Sequence, residues 1–378
     1  MRSILALSVL FAAQSSVHAN VVTITAAKDN TLYAESQTFS NGAGTSFFAG
    51  NNGIGFQMRG LLQFDLAGNI PTGSTINSVQ LVLNMTMTNS GAQTISLHRV
   101  LADWGEGTSI GGGGGGGAGA AATPGDATWL SSFHPSIPWT TPGGDFSATA
   151  STSTTVDQLG VYTWPSSTSF VADAQAYLNS PTNNFGWLVF GNGPGPAKRF
   201  ASRENTTVSM RPQLIVDFTP PFVGFCFGDG TGTACPCGNA GLAGNGCGSS
   251  SHPNGANLAG GGTASIANDT LVILGSGMSS VGGVLYFQGT GMQAGGAGIV
   301  FGDGLFCAGG SILRLGVKFN TAGASQYPDL GDPSISVKGL VTTPGSVRHY
   351  QGWYRDAATF CNPETFNFTN GLTVTWGA

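Results

Sequence analysis

The sequence contains few charged residues. Asp, Glu, Lys and Arg make up 8% of the 378 residues, whereas they usually make up about a quarter of a soluble domain. Thirteen Lys and Arg residues against 18 Asp and Glu residues give a formal net charge of −5. So few cations cannot supply the basic stripe that nucleic-acid binding requires, and nucleic acid is therefore excluded as a partner. Disordered chains combine high charge with low hydrophobicity, so a chain with 40% hydrophobic residues is expected to fold.

Long apolar runs are also missing. The strongest candidate, residues 4–13, is too short to cross the roughly 30 Å of bilayer hydrocarbon. It follows the basic residue Arg2 and precedes Val17 and Ala19, which occupy the −3 and −1 positions of a possible cleavage site. This arrangement is typical of a secretory signal peptide over residues 1–19. We therefore expect a secreted or cell-surface protein whose mature chain has no transmembrane segment.

Cysteine is absent from residues 20–219 and confined to the rest of the chain. The sequence thus predicts two domains, 20–219 and 222–378, separated by a linker at residues 220–221, where two prolines cannot donate backbone hydrogen bonds. In a secreted protein these cysteines are expected to form disulfides. The six cysteines are Cys226, Cys235, Cys237, Cys247, Cys307 and Cys361.

The disulfide pairing is open, because six cysteines allow 15 connectivities. Our expected pairing joins Cys307 to Cys361 and pairs the other four among themselves. The short spacing of Cys235, Cys237 and Cys247 would also suit a zinc site.

The first domain has the alternating pattern of a β-sandwich with one short helix. Apolar residues at 79, 81, 83 and 85 follow the two-residue period of a strand. Apolar residues at 170, 174, 177 and 178 instead follow a helical period, with Ser169 as the expected N-cap. The strands are predicted at residues 21–25, 61–66, 79–85, 94–100, 187–190 and 213–218.

The second domain is also predicted to be β, so the fold class is all-β. Its strands are predicted at residues 270–274, 284–288, 312–319, 335–338 and 372–376.

Glycine is abundant, with 61 residues. Residues 111–117 are all glycine and lie in a longer stretch of small residues, 105–125. Because such a run has no side chains to bury and much backbone entropy to lose, we expect a disordered loop. Deleting residues 109–122 should then leave the domain folded. Residues 107–111 match G-x-S-x-G, but they run directly into the glycine tract, where a nucleophile elbow cannot form.

Several motifs of the first domain occur together in a known family. They begin with Asp29-Asn30-Thr31-Leu32-Tyr33 and Arg59-Gly60-Leu61-Leu62-Gln63-Phe64-Asp65-Leu66, and continue through residues 96–100, 104–108, 125–129, 186–190, 200–204 and 212–216. In this order they make the domain resemble the DNRLRE domain family, which overlaps carbohydrate-binding module family 96. The resemblance implies a non-catalytic jelly-roll β-sandwich of a secreted bacterial protein, and an acidic polysaccharide such as alginate as its ligand.

The second domain resembles a Cys-containing C-terminal module of secreted bacterial proteins, which has no assigned function. The resemblance rests on Phe227-Gly228-Asp229-Gly230, on Cys235-Pro236-Cys237-Gly238-Asn239, and on residues 244–247 and 350–356.

Candidate ligand-binding residues are chosen by charge and shape. Arg59, Lys198, Arg199 and Arg203 could form a cationic patch for uronic acids, because Arg pairs with carboxylates through two parallel hydrogen bonds. The alternative is that Arg203 pairs with Glu204, and Arg59 with Asp65, at the surface or the rim of the sandwich. Trp129 is the preferred stacking residue. Tryptophans in loop-rich sequence either stack on sugar rings or pack under a long loop; the four are Trp104, Trp129, Trp139 and Trp164.

Asp29 is the acidic position at which we expect a structural calcium, because loop carboxylates ligate calcium in many secreted β-sandwiches. No paired-carboxylate or triad constellation is recognisable in the sequence, so we expect a protein that is not an enzyme. The preferred function is carbohydrate binding. The alternative is a structural or adhesive envelope protein that binds other proteins.

Overall fold

The computed structural model describes residues 20–377 except Gly114, Asn192, Pro194, Ala357, Thr359 and Cys361. These residues form two compact units, 20–220 and 221–377. In both, nearly all the regular secondary structure is β-strand, with few helical residues, which confirms the all-β class. The predicted signal peptide, residues 1–19, lies outside the described residues. Within the described part of the chain, no helix is long and apolar enough to cross a bilayer.

The first unit contains the following elements. Its strands are β1 (Asn20–Tyr33), β2 (Phe39–Ser40), β3 (Ser46–Asn51), β4 (Gln57–Phe64), β5 (Thr75–Met87), β6 (Gln93–Val100), β7 (Ala120–Ala121), β8 (Ser131–Phe133), β9 (Ile137–Pro138), β10 (Phe146–Val156), β11 (Gly160–Trp164), β12 (Trp187–Gly191), β13 (Lys198–Ala201) and β14 (Gln213–Thr219). Its helices are α1 (Thr168–Asn179) and two 3-10 turns, Pro181–Asn183 and Val208–Met210.

Two antiparallel sheets form a sandwich, and strand β1 belongs to both. Residues 20–25 of β1 pair with β14, and residues 26–33 pair with β4 after an irregularity near Lys28. The first sheet continues from β14 through β5 and β13 to β3, and the second from β4 through β12 and β6 to β10. The predicted alternation in β5 is confirmed, because Val79, Leu81 and Leu83 are fully buried in the core between the sheets.

Helix α1 covers the predicted helical segment but begins earlier than expected. The N-cap is Ser167, whose Oγ accepts a hydrogen bond from the backbone N–H of Phe170 at 3.0 Å. The predicted cap, Ser169, lies inside the first turn. The buried face carries Phe170, Ala174, Tyr177 and Leu178, as the helical period predicted.

The side chain of Asn30 on β1 ties together loops at one end of the sandwich. Asn30 is fully buried. Its Nδ2 donates to Ser40 Oγ and to the Glu106 carbonyl, both at 2.9 Å, while its Oδ1 accepts from the N–H of Asn41 at 3.0 Å. One buried amide therefore fixes the turn after β2 and the segment that follows β6.

The prediction that residues 105–125 are disordered was wrong for the residues that the structure describes. Asp126 is fully buried and accepts hydrogen bonds from the N–H groups of Thr108 and Thr123, both at 2.8 Å, and from the hydroxyl of Ser109. Ser109, the central residue of the G-x-S-x-G match, is thus a buried structural residue. The carboxylate closes the base of the glycine-rich segment.

Two side chains form hydrogen bonds with the backbone of the described residues of the glycine run. Asn41 Oδ1 accepts from the N–H of Gly111, and the Tyr33 hydroxyl donates to the Gly116 carbonyl, both at 2.6 Å. Gly116 has a φ of 101°, and a Cβ there would lie 2.4 Å from Asn41 Nδ2. Glycine is required at this position because the left-handed backbone approaches a polar side chain closely.

Replacing Asp126 by Ala should destabilise the first unit by about 3 kcal/mol, because several buried donors would lose a charged acceptor. Asp65→Ala is the matched control, since the exposed Asp65 carboxylate accepts only the N–H of Gly68 and should change stability by less than about 0.5 kcal/mol. Chemical denaturation of the full chain measures both. Equal stability of the two variants would contradict a structural role for the segment, as would an undisturbed unit after deletion of residues 109–122.

The second unit contains the remaining elements. Its strands are β15 (Phe222–Phe225), β16 (Asn257–Gly261), β17 (Val272–Ser276), β18 (Gly283–Met292), β19 (Ile299–Phe301), β20 (Gly304–Phe306), β21 (Ala308–Phe319), β22 (Ser325–Tyr327), β23 (Val347–Arg355), β24 (Phe366–Phe368) and β25 (Gly371–Thr375). Its helical elements are α2 (Ile335–Lys338) and a 3-10 turn at Gln293–Gly296.

Its largest sheet has the order β15–β25–β23–β18–β21, with β24 beside β23, and a smaller sheet has the order β16–β17–β22. A core of buried residues includes Ile273 from the smaller sheet and Tyr286 and Leu315 from the larger one. The predicted strand at residues 335–338 was wrong, because these residues form helix α2. Pro333 precedes the helix and Gly339 caps it, while the N–H of Ser336 donates to Asp269 Oδ2 at 2.6 Å.

Two disulfides join described residues, Cys226–Cys307 and Cys235–Cys247. The expected Cys307–Cys361 bridge was wrong, because Cys307, between β20 and β21, is bonded to Cys226, which directly follows β15. Cys361 is outside the described residues. No cysteine among the described residues is free, which argues against the zinc alternative.

Removing the Cys226–Cys307 bridge should cost more stability than removing Cys235–Cys247. The bridges close loops of 81 and 12 residues, which correspond in the chain-entropy model to about 4.5 and about 3 kcal/mol. Paired Cys→Ser variants, compared by thermal and chemical unfolding, measure the difference. A larger loss from the Cys235/Cys247 variant would contradict this order.

Candidate ligand-binding site

Arg59 lies on the outer face of the second sheet of the first unit. In β4, Leu62 and Phe64 face the core between the sheets. Leu61 belongs to a separate cluster on the opposite face, and alternation places Arg59 on that face as well. Leu188 of β12 and Val100 of β6 continue the outer cluster.

The guanidinium of Arg59 is surrounded by aromatic rings. Its central carbon lies 4.6 Å from the ring centroid of Trp129, 5.1 Å from that of Phe146 and 5.3 Å from that of Phe190. These distances are typical of cation–π interactions. The structure therefore brings Arg59 and Trp129, two residues proposed from the sequence, into one site.

Hydrogen bonds fix the guanidinium without neutralising it. Arg59 Nε donates to Gln57 Oε1 at 2.9 Å, and Nη1 donates to the Gly143 carbonyl at 2.6 Å. Nη2 has no hydrogen-bond partner among the described residues. No described carboxylate forms an ion pair with Arg59. Burial lowers the pKa of Arg59 to about 10, so the side chain remains positively charged at neutral pH.

Gly143 fits the two side chains together. Its N–H donates to the Trp129 carbonyl at 2.6 Å, and its φ is 93°. A Cβ at this position would lie 2.4 Å from Arg59 Nη1 and 2.8 Å from the Trp129 ring. A side chain at residue 143 would therefore separate the cation from the indole.

His98 lies beside the same rings and is neutral. Its ring packs edge-on against Phe146 and Phe190, each at a centroid distance of 5.5 Å. Burial, and to a smaller extent the Arg59 charge, lower the pKa of His98. Arg59 is therefore the charged member of this aromatic site.

The other three candidate tryptophans belong to the core. Trp104, Trp139 and Trp164 are almost fully buried. Each Nε1 donates at 2.8 Å to a backbone carbonyl, of Phe185, Thr128 and Ile95 respectively. For these three, packing is confirmed over stacking on sugar, whereas Trp129 is partly exposed.

The predicted cationic patch does not form as one surface. Lys198 is fully buried, and its Nζ donates to Thr88 Oγ1 and to the carbonyls of Ser90 and Gly91 at 2.5 to 2.9 Å. The guanidinium of Arg199 donates to the hydroxyl and the carbonyl of Thr86. Sequence reasoning chose these residues by charge alone. Charge does not reveal that neighbouring hydroxyl and carbonyl groups accept the hydrogen bonds of both side chains.

Arg203 belongs to a separate cluster with three carboxylates. It forms a two-point pair with Glu106, with Nε–Oε1 and Nη2–Oε2 distances of 2.6 and 2.9 Å, and its Nε lies 2.8 Å from Glu204 Oε1. Its backbone N–H donates to Asp29 Oδ2 at 2.6 Å. The surface ion pair foreseen as the alternative for Arg203 and Glu204 is confirmed.

Asp29 is the third carboxylate of this cluster. It is fully buried, and its Oδ1 has no hydrogen-bond partner among the residues that the structure describes. Desolvation by burial, together with the nearby charges of Glu204 and Glu106, raises the pKa of Asp29 well above its usual value. The single positive charge of Arg203 therefore lies among three acidic side chains.

These residues do not fit the calcium site expected at Asp29. Both carboxylate oxygens of Glu106 are used by Arg203, and the guanidinium supplies the positive charge that a cation would bring. Among the described residues, no group of three or more His, Cys, Asp or Glu side chains is arranged to hold a metal ion.

Sequence reasoning missed Phe146, Phe190, Gln57 and Gly143. Phe190 gave a usable signal, since it stands at an outward position of a strand whose inward neighbours, Trp187 and Val189, belong to the core. Gly143 gave none, because its partners are far away along the chain.

A scan against protein-family models finds no match for this sequence, and a search of curated proteins finds no significant match.

Replacing Asp29 by Asn should stabilise the protein at pH 8 and change little near pH 4. Because the folded-state pKa of Asp29 is raised, the folded form binds the proton more tightly, and stability falls as pH rises from about 4 through the raised pKa. The amide retains an acceptor for Arg203 without the charge. We expect a melting temperature at least about 3 °C higher at pH 8. Asp65→Asn is the exposed control, and an equal effect of pH on both variants would contradict the assignment.

Proposed function

We propose that this protein is a secreted, non-catalytic carbohydrate-binding protein whose first unit recognises an acidic polysaccharide. The observation that carries the proposal is the Arg59 guanidinium, which is set among three aromatic rings and has no carboxylate partner among the described residues. The two disulfides support an extracellular setting, because such bonds persist in oxidising compartments.

The chemistry of the site suits a uronic acid. A guanidinium binds a carboxylate through charge-assisted hydrogen bonds, and the unpartnered Nη2 of Arg59 is the donor that remains available. The flat apolar faces of pyranose rings pack against partly exposed aromatic side chains such as Trp129. The fixed rings and hydrogen bonds hold the guanidinium in place before the ligand arrives, which limits the entropy lost on binding.

The same features predict weak binding that depends on salt. A single cation in a protein of net charge −5 attracts a polyanion only at short range. The screening length shortens to about 3 Å at 1 M ionic strength, so raising the salt should weaken the interaction.

Affinity electrophoresis in gels containing alginate, pectin or a neutral glucan tests this function. The intact protein should be retarded by the two acidic polymers and not by the glucan. Arg59→Gln should abolish the retardation, and Arg59→Lys should reduce it, because lysine keeps the charge but loses the planar fork.

Arg211→Lys is the matched control, because Arg211 belongs to the same unit and donates its Nε to the Asn205 carbonyl. It should migrate like the intact protein, and near-ultraviolet circular dichroism should show that all variants are folded. Equal retardation of Arg59→Gln and the intact protein would remove the site from the proposal. If none of the polymers retards the intact protein, the proposed function itself is overturned.

A further inference from the structure

The second unit contains an aromatic groove on the outer face of its largest sheet. The groove has a volume of about 260 Å³. Five aromatic side chains line it, together with Leu285, Ile312 and one arginine. The aromatic residues are Phe287, Phe301, Phe306, Trp353 and Phe368.

Strand alternation explains why these side chains face outward. In β18, Val284 and Tyr286 point into the core of the unit, so Leu285 and Phe287 point to the opposite face. Trp353 pairs with Leu285 across β23 and β18, so it shares that face. The β19–β20 hairpin then forms one wall, on which Phe301 is 53% exposed.

The apolar surface continues beyond the groove along β21. Val317 pairs with Leu285 in the register of the sheet and is 58% exposed, and Phe319 is 79% exposed. Soluble proteins rarely leave such contiguous apolar surface uncovered, and where they do it marks a binding site. The continuation along one strand gives the site an elongated shape.

Two arginines border this surface, and neither has an acidic partner in the part of the chain that the structure describes. Arg314 lines the groove directly opposite Phe287 in the register, and it forms no ion pair with a described residue. The Arg355 guanidinium lies 5.1 Å from the centroid of the Trp353 ring, and its Nη1 donates only to the Thr365 hydroxyl. The groove therefore combines an apolar floor with uncompensated positive charge at its edge.

We propose that this groove binds an acidic peptide segment of a partner protein, inserting one bulky apolar side chain between Phe301 and Trp353 while Asp or Glu residues beside it pair with Arg314 and Arg355. Charge complementarity selects the acidic flanks. The buried aromatic floor selects the apolar anchor, since such anchors contribute most of the energy at protein interfaces. The site belongs to the second unit and is independent of the polysaccharide proposed for the first.

A sugar fits the groove less well than a peptide. The lining contains no hydroxyl or amide side chain among the described residues, so the hydroxyl groups of a saccharide would lose hydrogen bonds to water without replacement. A lipid surface is also a poorer match, because the apolar side chains line a depression and two arginines supply little attraction to a membrane.

An array of ten-residue peptides displayed to the full-length protein tests the proposal. Each peptide carries a central Trp, Phe or Leu flanked by Asp and Glu, by Ser, or by Lys. The acidic set should bind, and fluorescence anisotropy with the best acidic peptide should give an affinity at least about tenfold tighter than its Ser-flanked counterpart.

Two substitutions locate the site. Phe301→Asp should weaken the acidic peptide by at least about tenfold, and Arg314→Glu should shift the preference toward the Lys-flanked set. Both side chains are exposed. Because Phe301 also contacts the Phe306, Phe366 and Phe368 rings, near-ultraviolet circular dichroism is needed to show that the Phe301→Asp variant is folded. Val281→Asp is the matched control, because Val281 is 80% exposed and does not line the groove; it should bind like the intact protein.

Four results would overturn the proposal. The first is that no acidic peptide binds at about 1 mM, and the second is that the Ser-flanked peptides bind as tightly as the acidic ones. The third is that the Phe301→Asp variant binds the acidic peptide as tightly as the intact protein does. The fourth is that 2-naphthoate alone binds as tightly as the best peptide. Self-association in sedimentation velocity that Phe301→Asp abolishes would make a second copy of the chain the occupant instead.

Discussion

The buried Asn30 amide is the interaction on which the candidate binding face of the first unit depends. A buried amide is costly unless its donors and acceptors are all satisfied. Asn30 meets this condition with the turn after β2 and the Glu106 carbonyl. The chain that continues from Glu106 crosses the outer face of the second sheet and delivers Trp129 and Gly143 to Arg59. The aromatic site is therefore a product of polar anchoring at one end of the sandwich rather than of the sheet alone.

Regular patterns made much of the fold predictable. Alternation in β5 and the helical spacing around Ala174 identify their elements because each residue's environment repeats along a single segment. Features that depend on partners far away along the chain could not be predicted in this way. The glycine-rich segment is fixed by Asn41, Tyr33 and Asp126, and Cys226 pairs with Cys307 rather than with a nearer cysteine. At residues 335–338 the apolar alternation is real, but the flanking proline and glycine permit only one turn of helix.

The site was predictable to a smaller extent than the fold. Charge and shape singled out Arg59 and Trp129, which meet although 70 positions separate them in the sequence. The same criteria singled out Lys198 and Arg203, but these side chains already bind neighbouring groups of the first unit. The difference lies in what surrounds each cation: rings leave a guanidinium charged and available, whereas carbonyl groups or carboxylates occupy its donors. Composition cannot distinguish these environments.

The glycine-rich segment has a consequence for proteolysis. Proteases cleave chains that can enter an active site in extended form and that offer a side chain for recognition. Residues 111–117 offer no side chain. Among those that the structure describes, Gly111 donates its N–H to Asn41 Oδ1, and Gly116, which has a left-handed φ, accepts from the Tyr33 hydroxyl, so the backbone is not extended there. A segment that the composition alone would mark as the weakest part of the chain is thereby protected against proteolysis.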